Sequence, residues 1–193
     1  PGEDGRLRTP ILVADKAVYD QGESKSDIDF ASRWRRQLTD ELEMGLSVFS
    51  GVDREPSFGF NFDFFDPRLV PYYHHKDQVG LELEYIYEGW VGKLEAIHVS
   101  SAFQPYNAAV IGGEYTFGSI FDSDLDLTLI AEYLWDERND LSPGFFEHDI
   151  GMGTRLTFND VQSTEIMFGG LYDPDSQEKV LTLEAKRRLG ESW

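Results

Sequence analysis

The amino-acid sequence predicts an all-β chain, an antiparallel up-and-down β-barrel of the transmembrane kind, incomplete, with about nine strands. Three observations predict it. Segments of roughly ten residues alternate apolar with polar side chains. Tight turns and longer connections follow one another in rotation between these segments, and aromatic residues gather near the segment ends. A strand crossing a hydrocarbon layer needs ~9–11 residues, with short turns on one side and longer loops on the other.

Residues 1–26 read as an N-terminal arm or extracellular loop, and residues 27–193 as the strands of the barrel. In the first hairpin Ile28, Phe30 and Trp34 alternate with Asp29, Arg33 and Arg35. After a turn at Leu38 to Glu41, Leu42, Met44, Leu46 and Val48 alternate with Glu43, Gly45 and Ser47. Side chains on a strand point to opposite faces in turn, so each pattern makes one oily and one polar face. A long connection, Val52 to Lys76, comes next. The clearest hairpin follows it: Val79, Leu81, Leu83, Tyr85 and Tyr87 oppose Gln78, Gly80, Glu82, Glu84 and Glu88. Beyond a turn at Glu88-Gly89, Leu94 and Ala96 continue the oily face, and Lys93 and Glu95 the charged one. Facing Glu84 with Glu95 and Tyr85 with Leu94 keeps both faces whole.

Ala102 to Tyr106 connects to a third hairpin. Ala109, Ile111, Gly113, Tyr115 and Phe117 turn near Ile120 to Asp124 into Leu125, Leu127, Leu129, Ala131, Tyr133 and Trp135. After Asp136 to Phe145, the series Ile150, Met152, Leu156 and Phe158 turns at Asn159-Asp160 into Thr164, Ile166, Phe168 and Tyr172. A last strand runs from Lys179 to Leu189 after Asp173 to Glu178. Proline is expected only in loops or the arm, because it cannot donate to a sheet ladder. Nine strands is an odd count where single-chain bacterial barrels have an even one, which predicts a fragment.

Composition limits the functions available. With 193 residues, 40% hydrophobic content and no long apolar run, no transmembrane helix is expected. A net charge of -19 argues against nucleic acid, whose phosphates require clustered Lys and Arg. Without cysteine there is neither a disulfide framework nor a thiolate metal site. Pro1-Gly2-Glu3-Asp4 lacks the charged and apolar leader of a signal peptide, as a mature or truncated chain would.

Several candidate sites read as weak. His74-His75 with Asp77 offers metal-ligand types, but neighbouring strand residues point apart. Asp122 to Asp126 lacks the glycine and closing glutamate of a calcium loop. Gly151-Met152-Gly153 sits inside a strand, so it is no dinucleotide fingerprint. His98 and Ser100 share one strand without an orienting partner, and Glu82 with Glu84 is the kind of pair that any charged row provides. No enzyme activity, cofactor or metal is expected. The aromatic stretch Phe58 to Phe65 reads as a self-packing loop cluster, with a ligand-contacting surface as the alternative.

The run Asp77 to Tyr85, the segment Trp90 to Ile97, Gly112 to Phe117, Asn159 to Glu165 and Leu183 to Leu189 resemble Gram-negative outer-membrane β-barrel proteins of the porin-like type. The likeness runs from about Asp27 to the end of the chain. It implies a bacterial outer-membrane location and contact with outer-membrane lipid, but no particular solute. The end of the chain departs from the family, since Leu189-Gly190-Glu191-Ser192-Trp193 replaces an alternating closing strand and Trp193 reads as opening a further one.

If the oily face meets lipid, the lumen receives Glu82, Glu84, Lys93, Glu95, Glu114, Glu132, Arg155, Glu165, Glu184 and Lys186, together with Arg33, Arg35 and Glu43. The hairpins place Arg35 opposite Glu43 and Arg155 opposite Glu165. Such a lining either makes a polar interior tolerable or favours small solutes and cations in a conduit. The expected function is therefore a porin-like channel or passive solute uptake and binding protein. The alternative is a soluble β-barrel or sandwich binding an apolar ligand inside, because alternation does not say which face points inward.

Overall fold

The computed structural model describes residues 12–20, 28–61, 67–101, 103–138 and 147–190. The described chain is all-β, with thirteen strands and no α-helix. Nine strands form one sheet in the order β13-β12-β11-β10-β9-β8-β7-β4-β3. They are β3 (Phe30–Gln37), β4 (Leu42–Val52), β7 (His75–Tyr87), β8 (Trp90–Ser101), β9 (Tyr106–Ile120), β10 (Leu125–Asp136), β11 (His148–Thr157), β12 (Glu165–Tyr172) and β13 (Lys179–Lys186). The strands run antiparallel and up-and-down. The sheet is open: among the described residues β3 and β13 each have a partner on one side only.

The other four strands, β1 (Leu12–Val13), β2 (Val18–Tyr19), β5 (Ser57–Asn61) and β6 (Arg68–Tyr73), form a second sheet centred on β6. β5 pairs antiparallel with β6, whereas β1 and β2 pair parallel with its two ends. The arm at residues 1–26 and the connection from Val52 to Lys76 therefore carry strands where alternation predicts none. Pro71 is also a correction, since it lies buried inside β6, opposite Phe58. Of the aromatic stretch, Phe58 and Phe60 belong to β5, while Phe62, Phe64 and Phe65 lie outside the described residues, as does Trp193.

Contacts divide the chain into two units. One comprises Pro1–Ser32, Val48–Val79 and Val99–Pro105, and contains the small sheet. The other comprises Arg33–Ser47, Gly80–His98 and Tyr106–Trp193.

In the second unit, turn chemistry fixes the register. Glu88, at φ 52°, forms the tight turn between β7 and β8. Between β11 and β12 the turn is longer than Asn159-Asp160: Asn159 and Ser163 both take positive φ, and the Phe158 amide donates to the Thr164 carbonyl at 3.0 Å. Asp160 ties this turn, accepting from the Thr164 amide at 2.7 Å and its hydroxyl at 2.6 Å. The Thr164 hydroxyl and then its amide hold the Asp160 carboxyl below the usual carboxylate range. That stabilisation is fully present above the unfolded-state value of ~3.9 and is lost as pH falls through the lower folded value. The protection of the Thr164 amide relative to its intrinsic exchange rate, followed by NMR on acidification, is expected to hold through neutral pH and to fall only below the usual Asp range. In D160A that protection is expected to be lost throughout.

Candidate functional site: a charged sheet face

Period-two alternation and antiparallel register place most of the strand charges of the second unit on one face, Arg36 and Lys179 being on the other. Across β9, β10 and β11 the rows read Thr116–Thr128–Arg155, Glu114–Ile130–Gly153 and Gly112–Glu132–Gly151. Across β11, β12 and β13 they read Thr157–Glu165–Lys186 and Arg155–Met167–Glu184. Gly112 has a steric reason: a Cβ there would lie 2.8 Å from Glu132 Cγ and 3.2 Å from the Ala131 carbonyl.

Arg155 does not pair with Glu165. Its register partner is Met167, because the longer turn shifts β12 by two residues. The guanidinium instead reaches over β10 to Glu114, Nη2 to Oε2 3.1 Å. Glu165 faces Lys186. Each partner of the Arg155–Glu114 pair is about a third exposed, so the pair belongs near the upper end of the surface range. A double-mutant cycle on Arg155 and Glu114 is expected to give a coupling of ~0.5–1 kcal/mol. The same cycle on Arg155 and Glu165 is expected to give none.

The Arg35–Glu43 pairing is observed at 3.1 Å. Glu82 lies between Arg33 and Arg35, bonded to the first and 3.4 Å from the second. Glu84 is met by Lys93 Nζ at 3.5 Å. These residues line a cavity of about 320 Å³, with Glu95 on its wall. Lys93 and Glu95 also border a neighbouring cavity of about 210 Å³, shared with Glu114, Glu132, Val91, Val110 and Ile130. Glu82, Glu84, Lys93 and Glu95 thus share one cavity wall, with Arg33, Arg35 and Glu43 continuing it across β3 and β4.

The charged face is also the more covered one. Thr128 is 3% and Asp149 5% exposed, whereas on the oily face Met152 is 67%, Ile111 54% and Leu129 48% exposed. Long ionic side chains explain the cover, because Arg155 and Glu114 lie beside Thr128 and Ile130 and meet across them. Thr128 is further held by the Thr116 hydroxyl at 2.9 Å. The aromatics cluster as well: Trp90 meets Tyr115 at 4.5 Å, and Tyr115 meets Phe117 edge-on at 4.6 Å.

The weaker candidates fall as follows. His98 Nδ1 contacts the Asn107 side-chain oxygen at 2.8 Å. His75 turns to Ser50 at 3.3 Å and to Asp77 at 3.6 Å, whereas His74 contacts residues of other segments. Among the described residues no three His, Asp or Glu side chains are grouped to hold a metal ion. Asp126 bonds the Ser119 amide at 2.8 Å and the Asn159 amide group at 2.8 Å, the role of a turn brace. Comparison with known protein families, characterised proteins and solved structures finds no match for this chain.

Proposed function

We propose that the nine-stranded sheet is wall material of a bacterial outer-membrane β-barrel, porin-like, which passes or binds small solutes along its charged face. The observation that carries this reading is the inverted exposure. In water an oily sheet face is covered and the polar face exposed. Here Met152, Ile111 and Leu129 are open while Thr128 and Asp149 are closed. Lipid as the outer solvent removes that contradiction.

Strand length supports the same reading. β4, β7, β8, β9, β10 and β11 have 10 to 15 residues each, which meets the requirement of ~9–11 for a tilted crossing. Tyr85, Tyr87, Trp90 and Phe117 are half-exposed near the ends of their strands, where aromatic girdles sit at an interface. The soluble alternative requires an apolar interior, yet the larger cavity is walled by Arg, Lys and Glu.

On the charged face Glu43, Glu82, Glu84, Glu95, Glu114, Glu132, Glu165 and Glu184 outnumber Arg33, Arg35, Lys93, Arg155 and Lys186. A conducting barrel containing this wall should therefore prefer cations, and less so at high salt, because screening shortens the reach of fixed charge. Reversal potentials across a planar bilayer under a salt gradient test this. E84Q combined with E95Q is expected to reduce the preference. An anion-selective or charge-indifferent pore would overturn the cation path and leave a structural ion-pair lining.

A further inference from the structure

β6 brings together three residues that are far apart in sequence. Its parallel pairing with β2 sets Tyr19 beside Tyr73, so Asp20 and His74, the next residues of each strand, come side by side. Its antiparallel pairing with β5 sets Ser57 opposite Tyr72. His74 Nδ1 lies 2.8 Å from Asp20 Oδ2, and His74 Nε2 lies 2.8 Å from Ser57 Oγ.

The chemistry fixes the proton positions. An ionised carboxylate only accepts, so Nδ1 carries the proton it shares with Asp20. In the neutral ring Nε2 then holds a lone pair, and the Ser57 hydroxyl donates to it. Nucleophile, base and orienter are connected in the order that activates a serine.

The surroundings suit this role. The Phe103 ring stacks on the imidazole with centroids 5.0 Å apart and planes 12° from parallel, and the His74 side chain is 18% exposed. Ser57 is half-buried, so a ligand can still approach its hydroxyl. On the face that Ser57 shares with Gly59, a Cβ at Gly59 would lie 2.7 Å from the Tyr72 ring. Glycine there leaves room for the Tyr72 ring, 37% exposed, and Tyr72 is the register partner of Ser57. Aromatic rings thus flank both Ser57 and His74.

We infer that Ser57, His74 and Asp20 form an acyl-transfer site for carboxylic esters with an apolar or aromatic acyl group. Ser57 Oγ attacks the ester carbonyl as its proton passes to His74 Nε2. The bond from the carbonyl carbon to the alcohol oxygen breaks, and the leaving alcohol takes that proton. Water, deprotonated by the same nitrogen, then attacks the acyl-serine, releases the acid and restores the hydroxyl. Asp20 holds the ring and stabilises its transient positive charge. Acyl transfer at Ser57 does not require conduction along the charged face.

The test exposes the full chain, folded in detergent micelles, to an alkyl fluorophosphonate and separately to 4-nitrophenyl butyrate. Peptide mass spectrometry is expected to find the phosphonyl group on Ser57. S57A should abolish labelling and turnover, and H74Q and D20N should slow both by on the order of 10³-fold or more. The wild-type labelling needs no variant to fold, and circular dichroism checks the variants. An unlabelled Ser57 in the folded wild type, or labelling indifferent to H74Q, would overturn the inference and make the array a brace between β2, β5 and β6.

Discussion

Arg in place of Leu129 is expected to impair membrane insertion by ~2–4 kcal/mol, while Arg in place of Glu132 is expected to cost far less. Both residues lie in the middle of β10, three apart, and so on opposite faces. Leu129 is 48% exposed on the oily face, where a guanidinium would have to be desolvated by hydrocarbon. Glu132 is exposed on the charged face and flanked by Gly112 and Gly151, which leave room for a longer side chain. Thr128 would be the obvious control from sequence, but at 3% exposure an arginine there would be overpacked whatever the solvent. Urea-induced unfolding from lipid vesicles of the two variants, each in a barrel complete on both edges, measures the difference. Equal tolerance at positions 129 and 132 would show that the oily face does not meet lipid.

Residues 1–193 on their own are expected not to hold a stable monomeric pore. About half of the backbone N–H and C=O groups in an edge strand point away from its one partner. β13 has eight residues and β3 eight, and among the described residues neither has a second partner. Lipid offers those groups no hydrogen bond, at a cost of several kcal/mol for each. β13 also leaves Leu181 and Leu183 73% and 74% exposed, so in water it would be an adhesive edge. Heat-modifiable migration and single-channel recording of these residues alone test the point. A discrete, reproducible unit conductance would contradict it, and a barrel complete on both edges should supply what the isolated sheet lacks.

The long hairpins were legible because alternation over ten or more residues has one consistent reading. Leu125 to Trp135 could not be slipped by one position without turning every leucine to the charged face. A shift by two keeps the faces and changes the partners, so alternation sets Arg155 against Glu165 whereas it meets Glu114. That shift depends on the turn, which Asp160 caps and in which Asn159 and Ser163 adopt positive φ, neither of which alternation records.

The small sheet left no comparable trace. β1 and β2 have two residues each, too few to show a period, and their partner β6 lies far along the chain and contains Pro71. The meeting of Asp20, Ser57 and His74 follows from those pairings, so no local pattern could announce it.

By itself the sequence determined the all-β class and the up-and-down run of long strands, because each rests on period-two alternation that neighbouring residues carry between them. Only the tertiary structure decided which face is covered, which ion pairs form across strands, and that a serine, a histidine and an aspartate share one hydrogen-bonded line. Exposure, diagonal reach and parallel pairing each depend on strands distant in sequence, and their distances are set by turns and sheet order rather than by any single segment.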